Sequence, residues 1–123
     1  MYEGYTGDKE DKQAIFDFIV EKARKQNCQS LGLGGRCKYR GYDGRMCFVG
    51  FLIPDRLYYS GLDSPLAAFN HVLIVLKMQH QREFLANLQK IHDHVPPYKW
   101  EERFKYFAKC FNLIYTSPET SNV

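Results

Sequence analysis

Cys37-Lys38-Tyr39-Arg40-Gly41-Tyr42-Asp43-Gly44-Arg45-Met46-Cys47-Phe48-Val49-Gly50-Phe51 is the stretch on which the expected architecture turns. Tyr42-Asp43-Gly44 is turn chemistry, because its glycine can take a positive φ, and residues of alternating character flank it on both sides. The pattern predicts a β-hairpin. With Gly41 opposite Arg45, in a type I turn with a glycine bulge, Tyr39 faces Cys47 and Cys37 faces Val49. One face then carries Cys37, Tyr39, Cys47, Val49 and Phe51 and is assigned to the core. The other carries Arg36, Lys38, Arg40, Met46 and Phe48 and is assigned to solvent. A slip of one residue would exchange the two faces.

Charge concentrates in the same place. Between positions 36 and 45 stand four cations, Arg36, Lys38, Arg40 and Arg45, against the single carboxylate of Asp43. That local excess of three equals the net charge of the whole chain, which has 17 basic and 14 acidic side chains. The pI of about 8.6 therefore reflects one basic patch rather than a basic protein. Guanidinium groups fork onto phosphate oxygens, and an aromatic ring among them can stack on a base. The expected ligand-binding set is Arg36, Lys38, Arg40 and Arg45 for phosphate, Phe48 or Tyr39 for stacking, and Asp43 at the tip. Lys22, Arg24 and Lys25 would enlarge the patch if the preceding helix ends beside it. No recognition-helix pattern is present, so a nucleotide or short single strand fits better than duplex DNA. The same patch could instead dock an acidic protein surface.

On the amino-terminal side, Phe16, Ile19, Val20 and Ala23 recur at i, i+3, i+4 and i+7 and predict an amphipathic helix from about Asp8 to Asn27, after a loose arm over residues 1–7. Ser30-Leu31-Gly32-Leu33-Gly34-Gly35-Arg36 lacks the spacing of a phosphate-binding loop and reads as a flexible connector. Beyond the hairpin, Pro54 opens a short turn through Leu57, Tyr58 and Tyr59. Ser64-Pro65 then starts an apolar helix to about Met78. A further helix carries Phe84, Leu85, Leu88 and Ile91 and ends near Asp93. After the Val95-Pro96-Pro97 break, Trp100, Phe104, Phe107 and Phe111 form a helical aromatic stripe. The polar tail, residues 116–123, is expected to be loose.

Composition excludes several classes. At 123 residues, 45% hydrophobic and 15% aromatic, the chain is neither a disordered tail nor an obvious two-domain protein. The run Val72-Leu73-Ile74-Val75-Leu76 stops at Lys77, far short of a membrane span. The polar, acidic start Met1–Lys12 is not expected to be a secretory leader. Cys28, Cys37, Cys47 and Cys110 never form a C-x-x-C knuckle, and His92 and His94 at i and i+2 point about 200° apart on a helix. No metal and no cofactor are expected, and the cysteines read as small core residues that stay thiols in a reducing cytosol. Nucleophilic catalysis by Cys47 or His92, as in a small hydrolase, is the weakest of the alternatives. The plainer role of His92 is packing near Trp100, with Asp93 tying down the helix end.

Residues Cys37–Asp55, with their C-x-Y-R-G-x-D-G-x-x-C core from Cys37 to Cys47, together with Leu88–Asp93 and Trp100–Ala108, resemble a group of small, functionally uncharacterised proteins of tailed phages and prophages. The similarity spans about Ile15 to Leu113, with a departure between Leu57 and Gln81. It transfers no catalytic residue. What the resemblance implies is a setting, a phage-encoded accessory protein that binds a host or defence component in the host cytoplasm. The combined expectation is a single α+β domain, three or four helices around one β-hairpin. It would capture an anionic ligand, most plausibly a nucleotide or cyclic-nucleotide defence signal, without turnover and possibly as a homo-oligomer. The alternative is a protein-docking inhibitor of a host or defence enzyme.

Overall fold

In the computed structural model, which describes residues 1–118, the amphipathic stripe of the first helix is realised as α1 (Lys12–Gln26). It buries Ile15, Phe16, Ile19, Val20 and Ala23. The helix starts four residues later than its charge pattern suggests, because the Asp11 carboxylate caps it by accepting the Ala14 amide at 3.0 Å. Asp8 instead closes a separate turn, its backbone carbonyl accepting the Asp11 amide at 3.2 Å. Asn27 ends α1 in the left-handed region at φ 47°.

Three more helices complete the frame: α2 (Phe69–Leu76), α3 (Arg82–His94) and α4 (Trp100–Cys110). The proline break separates α3 from α4 as the sequence predicts. Trp100, Phe104 and Phe107 are buried while Phe111 packs at the edge. α2 is shorter than expected. Ser64-Pro65 forms a turn in which the Ala67 amide bonds to the Ser64 carbonyl, so the helix begins only at Phe69. Nor is α2 central on all sides: Val72, Leu73 and Leu76 are buried, but Ile74 remains 55% exposed.

The α+β expectation is overturned, because among the described residues there is no β-strand and the fold is helical. The turn itself exists. The Gly41 amide donates to the Arg45 carbonyl at 2.9 Å, Asp43 and Gly44 take φ of 58° and 71°, and Arg40 and Met46 form one isolated antiparallel bridge. Pairing then stops on both flanks. On the ascending side, the Lys38 amide is taken by the Ser30 carbonyl at 3.0 Å, and the Tyr39 and Arg40 amides by the Asp63 carboxylate at 2.7 and 3.2 Å. On the descending side, the Phe51 amide bonds back to the Cys47 carbonyl, and Gly50–Leu52 coils into a 3₁₀ turn.

The physical cause lies in the run Cys47-Phe48-Val49-Gly50-Phe51-Leu52-Ile53, which is continuously apolar. A one-sided strand would send alternate side chains to water, whereas each of these residues is buried, none with more than 3% exposed among the six that carry side chains. Coiling lets the segment enter the core whole. The two expected faces dissolve accordingly: Phe48, assigned outside, is fully buried, and Cys37, assigned inside, is exposed.

Phe48 becomes the hub of an aromatic core. Its ring centroid lies 4.9 Å from Trp100, 5.4 Å from His92, 5.6 Å from Phe104 and 6.1 Å from Phe51. The cluster continues through Phe16 and Phe107 to Phe84 and Phe111. Each such buried ring contributes about 1.5–3 kcal/mol by transfer from water.

The amino-terminal arm is stitched down rather than loose. The Tyr2 amide donates to Asp55 Oδ2 at 2.9 Å, Asp55 returns its own amide to the Tyr2 carbonyl, and the Tyr5 amide reaches the Leu52 carbonyl. At the other end Ile114 exchanges bonds with the Gln13 side-chain amide, and Arg24 Nη2 reaches the Thr116 carbonyl at 2.7 Å. The expected loose tail lies, from position 119 onward, outside the described residues. Among the described residues, no helix is long and apolar enough to cross a membrane.

Candidate anion-binding cleft

The six predicted cationic and aromatic site residues do not all converge: Arg36, Lys38 and Tyr39 line one small cleft together with Asp63 and Asp93, whereas Arg40, Arg45 and Phe48 lie outside it. Arg40 is absorbed by the fold: Nη1 pairs with Asp55 Oδ1 at 2.6 Å, Nη2 donates to the Ile53 carbonyl at 3.0 Å, and the guanidinium lies 4.5 Å from the Tyr58 ring centroid. Lys38 Nζ reaches the Asp63 carbonyl at 3.1 Å. Fully buried Phe48 has no face to offer a base. Tyr39 is half-buried, and burial first, then the charges of Cys47, Asp63 and Asp93, raise its phenol well above the ordinary range. Arg36 is exposed, on the far side of the Leu31–Cys37 bridge from the Tyr42–Gly44 turn.

Arg45 and Asp43 do share a cleft, of about 460 Å³, with the α1 residues Lys22, Lys25 and Gln26. What brings them together is Gln26. Its Oε1 accepts the Met46 amide at 2.9 Å and its Nε2 donates to the Met46 carbonyl at 2.8 Å, so one side chain serves Met46 as a neighbouring strand would. Ser30 Oγ donates to the Arg45 carbonyl at 3.1 Å and fixes the adjoining peptide. The Arg45 backbone is thereby held while its guanidinium stays outside any ion pair among the described residues.

Lys22 is half-buried against aromatic faces, its ammonium 5.4 Å from the ring centroids of both Tyr2 and Phe18. Lys25 has a 3.3 Å contact with Glu21 one turn back, well exposed on both sides and therefore weak. Arg24, grouped with these lysines in the sequence, points elsewhere and forks onto Glu101 with two 2.8 Å bonds. The cleft thus gathers the cations of Lys22, Lys25 and Arg45 against the one carboxylate of Asp43. The sequence offered Lys22, Arg24 and Lys25 as an enlargement of the patch if the helix ended beside it, and of these Lys22 and Lys25 line the cleft. Gln26, which sets their distance from Arg45, carried no signal there.

A second cluster lies on the other side of Ser30, whose hydroxyl reaches the Arg45 carbonyl and whose amide reaches His92. Ligating atoms of Cys37, His92 and Asp93 fall within 4.8 Å of one another, beside a smaller cleft of about 220 Å³. Its hydrogen bonds assign it a structural chemistry. The Ser30 backbone amide can only donate, and it points at His92 Nε2 from 2.8 Å, so the ring proton sits on Nδ1 and is given to Asp93 Oδ1 at 2.9 Å. A metal on Nδ1 would force the proton onto Nε2, against the Ser30 N–H. Burial alone would raise the Asp93 carboxyl, but hydrogen bonds from His92, Gln89 and Cys37 outweigh it and hold the group below its ordinary 3.8. Cys37 is exposed as a residue, yet its thiol moves the other way, pushed up to about 11 by partial desolvation and by the Asp93 charge. Cys47 is sealed in the core and its thiol is raised further, chiefly by burial. Neither sulfur is a poised thiolate.

No protein-family model, curated protein or solved structure matches the chain.

Proposed function

We propose that the protein captures a small phosphate-bearing anion of the nucleotide class, without converting it, in the cleft between α1 and the Tyr42–Gly44 turn. The observation that carries this is the meeting of Lys22, Lys25 and Arg45 around one opening of about 460 Å³. That size lies within the roughly 300–1,000 Å³ of small-molecule sites. Arg45 offers a forked donor on a fixed backbone, and the two lysines add point charges on a neighbouring rigid helix. Tyr2, Met46 and Phe51 also line the cleft and offer surface to an apolar body. The raised thiols of Cys37 and Cys47 favour holding over nucleophilic conversion. In the phage setting that the sequence resemblance implies, such capture would amount to sequestration of a nucleotide defence signal.

The test is calorimetric titration with pyrophosphate, adenosine triphosphate and cyclic mono- and dinucleotides, with chromatography showing the ligand unchanged after incubation. Replacing Arg45 by alanine removes a charge-assisted contact and should weaken binding by about ten-fold or more, and Lys25→Ala should add to the loss. Arg36→Ala should leave binding within about two-fold, since that side chain lies outside the cleft. A panel that binds nowhere, or binds equally to the Arg45→Ala variant, overturns the assignment. Copurification of a host protein that depends on Arg45 while the panel stays silent would favour docking to an acidic protein surface instead.

A further inference from the structure

A different groove, formed by α3 and α4, has a chemistry of its own. Its floor is Ile91, Phe107 and Phe111, and its rim carries Lys90, His94 and Arg103, in a space of about 400 Å³. No acidic residue lines it, and none of the three rim side chains has an ion-pair partner among the described residues. Apolar surface and unpaired positive charge therefore lie side by side.

The dimensions limit what fits. On α3 the lining runs from Asn87 to His94, and on α4 from Arg103 to Cys110, which at 1.5 Å per residue is a trough of roughly 10 Å. A partner helix is itself about 10–12 Å across and needs an apolar track over several turns. The trough suits a short chain with a charged head.

We propose that this groove binds a small amphiphilic anion, of the class of a medium-chain carboxylate, with its apolar body on Ile91, Phe107 and Phe111 and its head toward Lys90 and Arg103. Neither part is sufficient alone. The burial of methylenes is indifferent to the head group, and exposed ion pairs are weak. Together they discriminate by charge sign.

The experiment is a titration of the isotope-labelled chain with octanoate, octanol and octylamine, followed by amide chemical shifts. Octanoate should give saturable shifts centred on Asn87–Val95 and Arg103–Phe111, with octanol at least about five-fold weaker and octylamine weaker still. The doubly reversed variant Lys90→Glu/Arg103→Glu, both changes on exposed side chains, should lose octanoate affinity by about ten-fold or more while its circular dichroism is unchanged. Tyr106→Ala, which removes an exposed wall of the trough, should weaken all three ligands in parallel. Equal affinity for the three head groups, unchanged binding by the double variant, or shifts centred on Lys22, Lys25 and Arg45 would each overturn the proposal. The last outcome also separates its failure from that of the nucleotide cleft.

Discussion

His92 is a histidine with no spare nitrogen. One ring nitrogen takes the Ser30 amide, the other gives its proton to Asp93, and the ring lies 5.4 Å from Phe48 and 6.0 Å from Trp100, centroid to centroid. Asp93 passes the constraint on, accepting from Gln89 Nε2 at 2.9 Å, while Gln89 Oε1 accepts the Val49 amide at 2.8 Å. One helix face thus holds both Ser30 and Val49 in place through polar side chains. His92→Ala removes a fully buried ring and leaves the Ser30 amide without an acceptor. A cavity and an unsatisfied donor together should cost about 3–5 kcal/mol in a urea titration. A loss under about 1 kcal/mol would mean that the loop does not depend on the ring.

At the level of elements, the helices were legible and the hairpin was not. The stripes on α1, α3 and α4 are sustained over three or four turns, long enough for the 3.6-residue period to identify each helix. The segment between them gave one true local signal, the Tyr42-Asp43-Gly44 turn. It also gave a false extension, because the alternation on the Cys37–Arg40 flank had no second strand to meet. Asp63, more than twenty residues away, takes the amides of Tyr39 and Arg40, and nothing in the local pattern of either segment announces that pairing. The site was half legible for the same reason. Arg45 and Asp43 lie where the turn predicts, while Arg40 was lost to a carboxylate that only the tertiary fold brings near. One helix end invites repair. Lys77 closes α2 at φ 58°, a conformation that costs a side chain with a Cβ about 1 kcal/mol. Lys77→Gly, on an exposed residue, should therefore raise stability by about 0.5–1 kcal/mol, readable as a higher urea midpoint at constant slope.

For the molecule as a whole, three carboxyls besides Asp63, which takes the Tyr39 and Arg40 amides, join parts of the chain. Asp55 ties the amino-terminal arm and Arg40, Glu101 ties Arg24 and Tyr115, and Asp93 at the end of α3 ties His92 and Cys37. All three are held below their ordinary values: Asp55 first by the Tyr2 amide, and Asp93 and Glu101 by hydrogen bonds that outweigh the effect of burial. A carboxyl depressed by folding stabilises the native state fully above its unfolded value and ceases to do so as pH falls through its folded one. The unfolded values are 3.8 for the aspartates and 4.5 for the glutamate. Urea midpoints should therefore be level above about pH 5.5 and fall increasingly from about pH 4.5 downward, with Glu101→Gln less stable at neutrality but less sensitive to acid. A midpoint unchanged between pH 5 and 3 would contradict this.

The segment between α1 and α2 has one further consequence, for which changes a lineage of such chains can accept. In a β-ladder the partners of the backbone are anonymous, since every residue but proline brings the same N–H and C=O. Here the Met46, Val49, Tyr39 and Ser30 amides are met by Gln26, Gln89, Asp63 and His92, each supplying a specific atom. Exchanging Gln26 for glutamate would set an oxygen against the Met46 carbonyl, whereas swapping one buried aliphatic for another of similar volume is comparatively cheap. Inherited variation should consequently be narrower at these polar positions than across much of the greasy interior, the reverse of the usual order.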